Sequence, residues 1–154
     1  MTSSAVDYDD RVSVTDVLVR YATGIDRRDW GLLRTCFTRD CDLDYGDIGH
    51  WRGVDEVVAW AAATHDPLGP TLHRITNVVL TTKDGGVAAR SYVQAIVMTP
   101  DSGAAVHAYG WYDDELARTT EGWRIHRRRF TMVTSELHRP MTAAGTVPDA
   151  AEPG

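Results

Sequence analysis

LHRITNVVLTT (residues 72–82), VAARSYVQAIVMT (87–99), AAVHAYGWYDDELART (104–119) and WRIHRRRFTMVTS (123–135) succeed one another in the second half of the chain. They are rich in β-branched and aromatic residues, and KDGG, PDSG and TTEG join them as turn sequences. Long strands at hairpin spacing predict an antiparallel meander. Helical patterns lie ahead of it. Ser13 and Asp16 stand as a capping box, and Val14, Val17, Leu18, Tyr21 and Ile25 then recur at helical spacing. Asp29 caps a short second helix, WGLLRTCF, which buries Trp30, Leu33 and Phe37. CDLDY alternates between an apolar face (Cys41, Leu43, Tyr45) and an acidic one (Asp42, Asp44), the pattern of a strand with one wet face. Asp55 caps a third helix, EVVAWAAATH, closed by Pro67, Gly69 and Pro70. The predicted fold is α+β: a curved antiparallel β-sheet wrapped around N-terminal helices, a cone-shaped α+β barrel with a pocket at its open end.

The chain has 154 residues, enough for one core. The patterns divide it into an N-terminal tail (1–12), a single α+β domain (13–139) and a C-terminal tail (140–154) rich in Ala, Gly and Pro. Net charge is −6 and uneven: residues 1–70 hold 7 Lys/Arg against 13 Asp/Glu, while residues 71–154 hold 9 of each. The basic run Arg127–Arg129 alternates faces on a strand, so there is no basic stripe and nucleic acid is not an expected partner. No apolar run reaches the roughly 20 residues of a membrane span, and the polar, acidic start MTSSAVDYDD lacks the form of a signal peptide. The expected location is cytoplasmic, with Cys36 and Cys41 reduced and serving as small packing residues.

Two polar residues occupy apolar settings. Asp26 flanks the end of the first helical stripe, and His73 opens the first meander strand. A carboxylate that orients an imidazole makes a general base able to take a proton from carbon next to a carbonyl. Tyr45 shares the face of Leu43, and Tyr21 belongs to the helix stripe; both are candidates to donate to a substrate oxygen. Asn77 falls on the His73 face by strict alternation. Tyr112 and Asp114 share a face with Leu116 and could line the pocket floor. Arg128 could clamp a ligand carboxylate or partner Asp114. The histidines His50, His65, His107, His126 and His138 show no zinc spacing, so no metal is expected. No Gly-rich phosphate loop and no Gly-x-Ser-x-Gly elbow occurs, which points to acid–base chemistry with no cofactor.

YATGIDRRDWGLLRTCF, LDYGDIGHWRGVDEV, GPTLHRITN and EGWRIHRRRF, in this order, resemble the SnoaL-like family of the nuclear-transport-factor-2-like superfamily. The likeness extends to scytalone dehydratase and the bacterial bile-acid 7α-dehydratases and covers about residues 12–135. It implies Asp26 as the catalytic aspartate, His73 as the catalytic histidine and Tyr45 as the tyrosine that polarises a carbonyl. It also implies Tyr21 and Arg128 as the pocket tyrosine and arginine of the bile-acid enzymes. Ile25 stands where scytalone dehydratase has a tyrosine. Val97 or a neighbour falls where that enzyme has a second histidine, so the resemblance names no second acid. The function expected is a cofactor-independent dehydratase or isomerase-type lyase, abstracting a proton α to a carbonyl of a small cyclic, largely apolar substrate. A polyketide cyclase of secondary metabolism could use the same enolate for ring closure. An epoxide hydrolase would need an Asp–Arg–Asp relay around Asp26, and a non-catalytic small-molecule-binding domain would need no dyad. Tyr92, Gln94 and Ile96 make the outer sheet face apolar, so a homodimer or homotrimer is expected.

Overall fold

The computed structural model describes residues 5–139. Its first helix, α1 (Tyr8–Arg27), begins ahead of the Ser13 cap expected from sequence. Asp7 is the cap, accepting a 2.8 Å hydrogen bond from the Asp10 amide. Asp10 in turn accepts from the Trp123 indole at 2.9 Å and pairs with Arg118, which ties the first turn to the far end of the sheet. The expected N-terminal tail of residues 1–12 is corrected accordingly: Tyr8–Val12 are helical. The expected tail at 140–154 lies outside the described residues.

Arg28 ends α1 in the left-handed conformation (φ 56°), and the Asp29 amide reaches back to the Gly24 carbonyl at 2.9 Å. The second helix, α2, is shorter than expected, Trp30–Arg34. The Cys36 carbonyl accepts from the Ile125 amide at 2.8 Å, so the chain leaves the helix for the sheet and Phe37 opens strand β1 (Phe37–Asp44). A single 3-10 turn (Gly46–Ile48) leads into β2 (His50–Arg52). Helix α3 (Val54–His65) starts one residue before Asp55, with Gly53 at its N-cap and Asp55 and Glu56 in the first turn, where the helix dipole favours them.

The meander follows as β3 (Thr71–Lys83), β4 (Gly86–Met98), β5 (Ala105–Thr119) and β6 (Gly122–His138). Its hairpins are antiparallel, as the turn sequences predict. The six strands run β2-β1-β6-β5-β4-β3. β1 pairs with β6 in parallel, so the sheet is mixed rather than purely antiparallel, and it stays open with β2 and β3 at its edges. The physical reason is topological: the long excursion through α3 and the meander brings β6 back alongside β1 in the same direction.

α1 packs against β3 and β6, and α3 against β1. Val14, Val17, Leu18, Ile25, Leu33, Leu43, Val57 and Ile125 are buried to 1% exposure or less. Each such side chain contributes roughly 1.5–3 kcal/mol by removal from water. This packing presses the C-terminal turn of α1 onto the first residues of β3. One bulge in β3 matters for the site. Between the pairs Thr76↔Tyr92 and Val79↔Arg90, β3 has two residues and β4 one. Asn77 takes the extra place at φ 51°, a conformation asparagine tolerates better than most residues. Beyond it the inward set shifts to Val78 and Leu80, and Asn77 itself is exposed. The sequence expectation that Asn77 shares the His73 face is therefore overturned.

Candidate active site

Asp26 and His73 meet where α1 ends and β3 begins. His73 Nδ1 lies 2.7 Å from Asp26 Oδ1, and the His73 backbone amide donates to Asp26 Oδ2 at 2.8 Å. Thr71, two residues upstream on the same strand face, donates its hydroxyl to Asp26 Oδ1 at 2.9 Å. Burial pushes the Asp26 carboxyl up, but these donors together outweigh it and hold the group below the ordinary carboxylate value. Asp26 is thus an acceptor, so Nδ1 of His73 must carry the hydrogen, and in the uncharged ring Nε2 keeps the lone pair. The His73 side chain is 7% exposed and that of Asp26 20%. They open onto a groove of about 360 Å³ between α1 and β3, lined also by Val19, Ala22, Thr23 and Ile75.

Arg28 anchors this arrangement. Its left-handed backbone costs about 1–2 kcal/mol. Four hydrogen bonds of 2.9–3.0 Å from its guanidinium offset that cost. They run to the carbonyls of Ile25, His65 and Gly69 and to the Thr71 hydroxyl. Because Arg28 only donates, the Thr71 oxygen accepts from it and its hydrogen is directed to Asp26. Arg28 donates to Thr71 and Thr71 to Asp26, and His73 donates to Asp26 from the other side, so the donors converge on the carboxylate.

Thr71→Val keeps the β-branched shape and deletes one donor to Asp26. The Asp26 carboxyl is expected to titrate at higher pH in the variant, observable in its side-chain carbon resonance. The sign follows from linkage. A carboxyl lowered by folding contributes stability above its unfolded pKa and loses it as pH falls through the folded value. Raising the folded value narrows that contribution, so acid unfolding should begin at higher pH. An unchanged Asp26 titration would show that Thr71 does not hold the carboxylate.

The other candidates form a second cluster deeper in the core. The Tyr21 hydroxyl lies 3.1 Å from that of Tyr45 and 3.4 Å from that of Tyr112. Three phenols bring three hydrogens to two contacts, so one hydrogen remains free to donate elsewhere. Burial pushes all three phenols up, keeping them protonated donors. Arg128 sits over the rings of Tyr21 and Tyr112, 4.2 and 3.9 Å from their centroids. It donates twice to Asp114, at 2.6 and 2.8 Å, and both side chains are fully buried. Burial pushes the Asp114 carboxyl up while Arg128 opposes it, and Asp114 in turn holds the guanidinium charged. Of the two sequence readings for Arg128, the structure shows the partner of Asp114 rather than a clamp on the groove surface. Its Nη1 is buried without a hydrogen-bond partner.

A wall of rings links the two clusters. Tyr45 contacts Trp60 (5.6 Å between centroids), Trp60 contacts His65 (6.0 Å), and His65 contacts His73 (6.2 Å). Trp51 stacks on Trp60 at 4.0 Å. The sequence patterns assign neither Trp60 nor His65 to the site. A signal existed for His65: it extends the buried α3 positions Val54, Val57 and Ala61 by four residues. Cys36 and Cys41 are buried and free, and burial raises their thiols to about 11 and about 12, as packing residues require. Among the described residues no group of three or more His, Cys, Asp or Glu side chains gathers as a metal ion would need. No helix among them is long and apolar enough to cross a membrane.

Helices followed by a curved, unclosed six-stranded mixed sheet make the fold one of the nuclear-transport-factor-2-like type. Within it, the chain belongs to the SnoaL-like domain family, whose profile matches residues 6–129. The protein Rv2910c of Mycobacterium tuberculosis, itself uncharacterized, is 29% identical over 131 residues, covering 81% of this chain and 86% of that one. A candidate scytalone dehydratase of Novosphingobium aromaticivorans shares the fold with a TM-score of 0.76 at 19% identity, covering 92% of this chain and 98% of that one. A type 2 hexachlorocyclohexane dehydrochlorinase, LinA, does so with a TM-score of 0.76 at 19% identity, over 92% and 95% of the two chains.

Proposed function

We propose that the protein is a cofactor-independent lyase or isomerase acting on a small cyclic, largely apolar ketone. The observation that carries this reading is the Asp26–His73 pair, with Nδ1 bound to a carboxylate at 2.7 Å and Nε2 free. His73 removes the proton α to the carbonyl. Asp26 holds the tautomer and stabilises the imidazolium that forms. The spare phenolic hydrogen of the Tyr21–Tyr45–Tyr112 group and the unpaired Arg128 Nη1 are the donors this reading assigns to an enolate oxygen, directly or through water. In a dehydration, the imidazolium returns its proton to the departing hydroxyl; in a cyclase, the same enolate attacks a second carbonyl. The test is incubation of the protein in deuterated buffer with a panel of cyclic ketones, followed by mass. Incorporation at the α-carbon is expected for members of the panel. A panel that stays unlabelled would remove the acid–base reading in favour of a binding domain.

We also infer that the protein associates with copies of itself through the outer sheet face, as a dimer or trimer. Val79, Tyr92 and Val133 are 51–62% exposed there. A largely apolar groove of about 410 Å³ runs between Tyr92, Gln94, Tyr109, Trp111 and Val133. Light scattering at micromolar concentration is expected to give a multiple of the 17.0 kDa chain mass; a monomer would end this idea.

A further inference from the structure

Arg28 stands where the backbone favours glycine. It is the C-cap of α1, half-buried and left-handed at φ 56°, a conformation that glycine adopts without steric cost. A long side chain kept there against the backbone's preference points to work done by the side chain. All three of its guanidinium nitrogens are engaged. Nε donates to the His65 carbonyl at 3.0 Å, Nη2 to the Gly69 carbonyl at 2.9 Å, and Nη1 to the Ile25 carbonyl and the Thr71 hydroxyl at 2.9 Å each. The guanidinium thereby joins the last turn of α1, the end of α3, the loop that follows and the first residue of β3.

The Asp26 carboxylate lies two residues before Arg28, yet its ion partner is His73. Arg28 reaches it at one remove. Thr71 has one hydroxyl hydrogen and two lone pairs. With Nη1 donating into a lone pair, the hydrogen is left for Asp26 Oδ1, which the hydroxyl oxygen meets at 2.9 Å. His73 Nδ1 donates to that same carboxylate oxygen at 2.7 Å. Loss of the guanidinium would free the hydroxyl to rotate. It would also take a donor from the Gly69 carbonyl, two residues before Thr71 and bonded to the same guanidinium, so the Thr71 hydrogen would have a second acceptor to turn to. A lysine ammonium is a single point and cannot stand where three nitrogens of a planar fork stand.

We propose that Arg28 is a positioning residue of the site: through the Thr71 hydroxyl it aims a hydrogen bond at Asp26 Oδ1 and so fixes the carboxylate against the His73 ring. Its effect on rate rests on the reading of His73 as the base; its hold on Asp26 does not. Arg28 is not among the residues that line the groove, so it acts through Thr71 rather than on a substrate.

Two variants separate this from a cap that merely stabilises α1. Arg28→Gly relaxes the backbone while removing the fork, so it is expected to fold. Arg28→Lys keeps the charge and loses the fork. Each is made alone and together with Thr71→Val. In the single variants the Asp26 carboxyl is expected to titrate at higher pH, read at its side-chain carbon. The kcat for α-deuterium exchange into a cyclic ketone should fall about 10-fold, the worth of one hydrogen bond to a charged group, with KM held. In the Thr71→Val background the same substitutions should have little further effect, because the route from Arg28 to Asp26 is already cut. A merely structural cap would lower stability and leave the Asp26 titration where it is. Effects of equal size with and without the Thr71 hydroxyl overturn the proposal, as does an Asp26 titration that neither variant moves. A wild type without α-exchange would remove His73 as the base, and the titration alone would then decide the role of Arg28.

Discussion

Arg128→Met is expected to destabilise the protein by about 3–5 kcal/mol, because it leaves the Asp114 carboxylate buried without a partner. Domains of this kind are stable by only about 5–15 kcal/mol, so a large share would be lost. Arg128 makes two short bonds to Asp114 and spreads its guanidinium over two tyrosine rings, all at full burial. Methionine replaces the aliphatic stem and nothing else. The loss should depend on pH with a defined sign. Burial pushes the Asp114 carboxyl up, and without Arg128 nothing opposes that. A carboxyl raised by folding is tolerated while protonated and becomes costly as pH rises above its unfolded value. Urea unfolding should therefore show a smaller loss at pH 5 than at pH 8. The double variant Arg128→Met, Asp114→Leu should recover most of the stability, since no buried charge remains. Single variants within about 1 kcal/mol of wild type would show that the pair is not what seats the tyrosines.

His73→Ala is expected to lower the rate of α-proton removal by about 10²–10⁴-fold, the span that a positioned general base contributes. Its fold should survive, because the ring borders a groove rather than a close-packed interior. Asp26→Asn should act on kcat more than on KM. The amide can keep a hydrogen bond to the ring but cannot stabilise the imidazolium as it forms, so the lost interaction belongs to the transition state. Tyr45→Phe keeps the ring contacts with Trp51, Trp60 and Phe130 and removes only the hydroxyl; its loss should fall on rate. Undiminished exchange in His73→Ala would remove His73 as the base whatever the other variants do.

The dyad was legible because each member breaks a pattern that is otherwise apolar. Asp26 lies four residues past Ala22 on the helix, and His73 opens a strand whose neighbours are buried or flanking. The meander was legible because its turns announce themselves. The parallel pairing of β1 with β6 was not, since register between strands whose paired residues, such as Leu43 and Arg128, lie far apart in sequence leaves no local trace. Asn77 was misplaced for a related reason: a period of two cannot register one inserted residue, and the only hint was asparagine's tolerance of positive φ. Capping at Asp7 was hidden by a second plausible cap at Ser13; which one operates is decided by Asp10 reaching Trp123 and Arg118. Arg28 carries no periodic signal, and Thr71 shares the His73 face without marking itself as a polar partner. Arg28 sits just past the end of α1 and Thr71 at the start of β3, and their roles exist only once α1, α3 and β3 converge.

Nitrogen-15 spectroscopy of the histidine side chains reads the protonation pattern of His73 without any substrate. In the uncharged ring the result predicted for wild type is a hydrogen on Nδ1 and a bare Nε2, with the preference weakened in Asp26→Asn. A hydrogen on Nε2 of wild-type His73, with Nδ1 bare, would mean that Asp26 does not set the tautomer and that no base faces the groove.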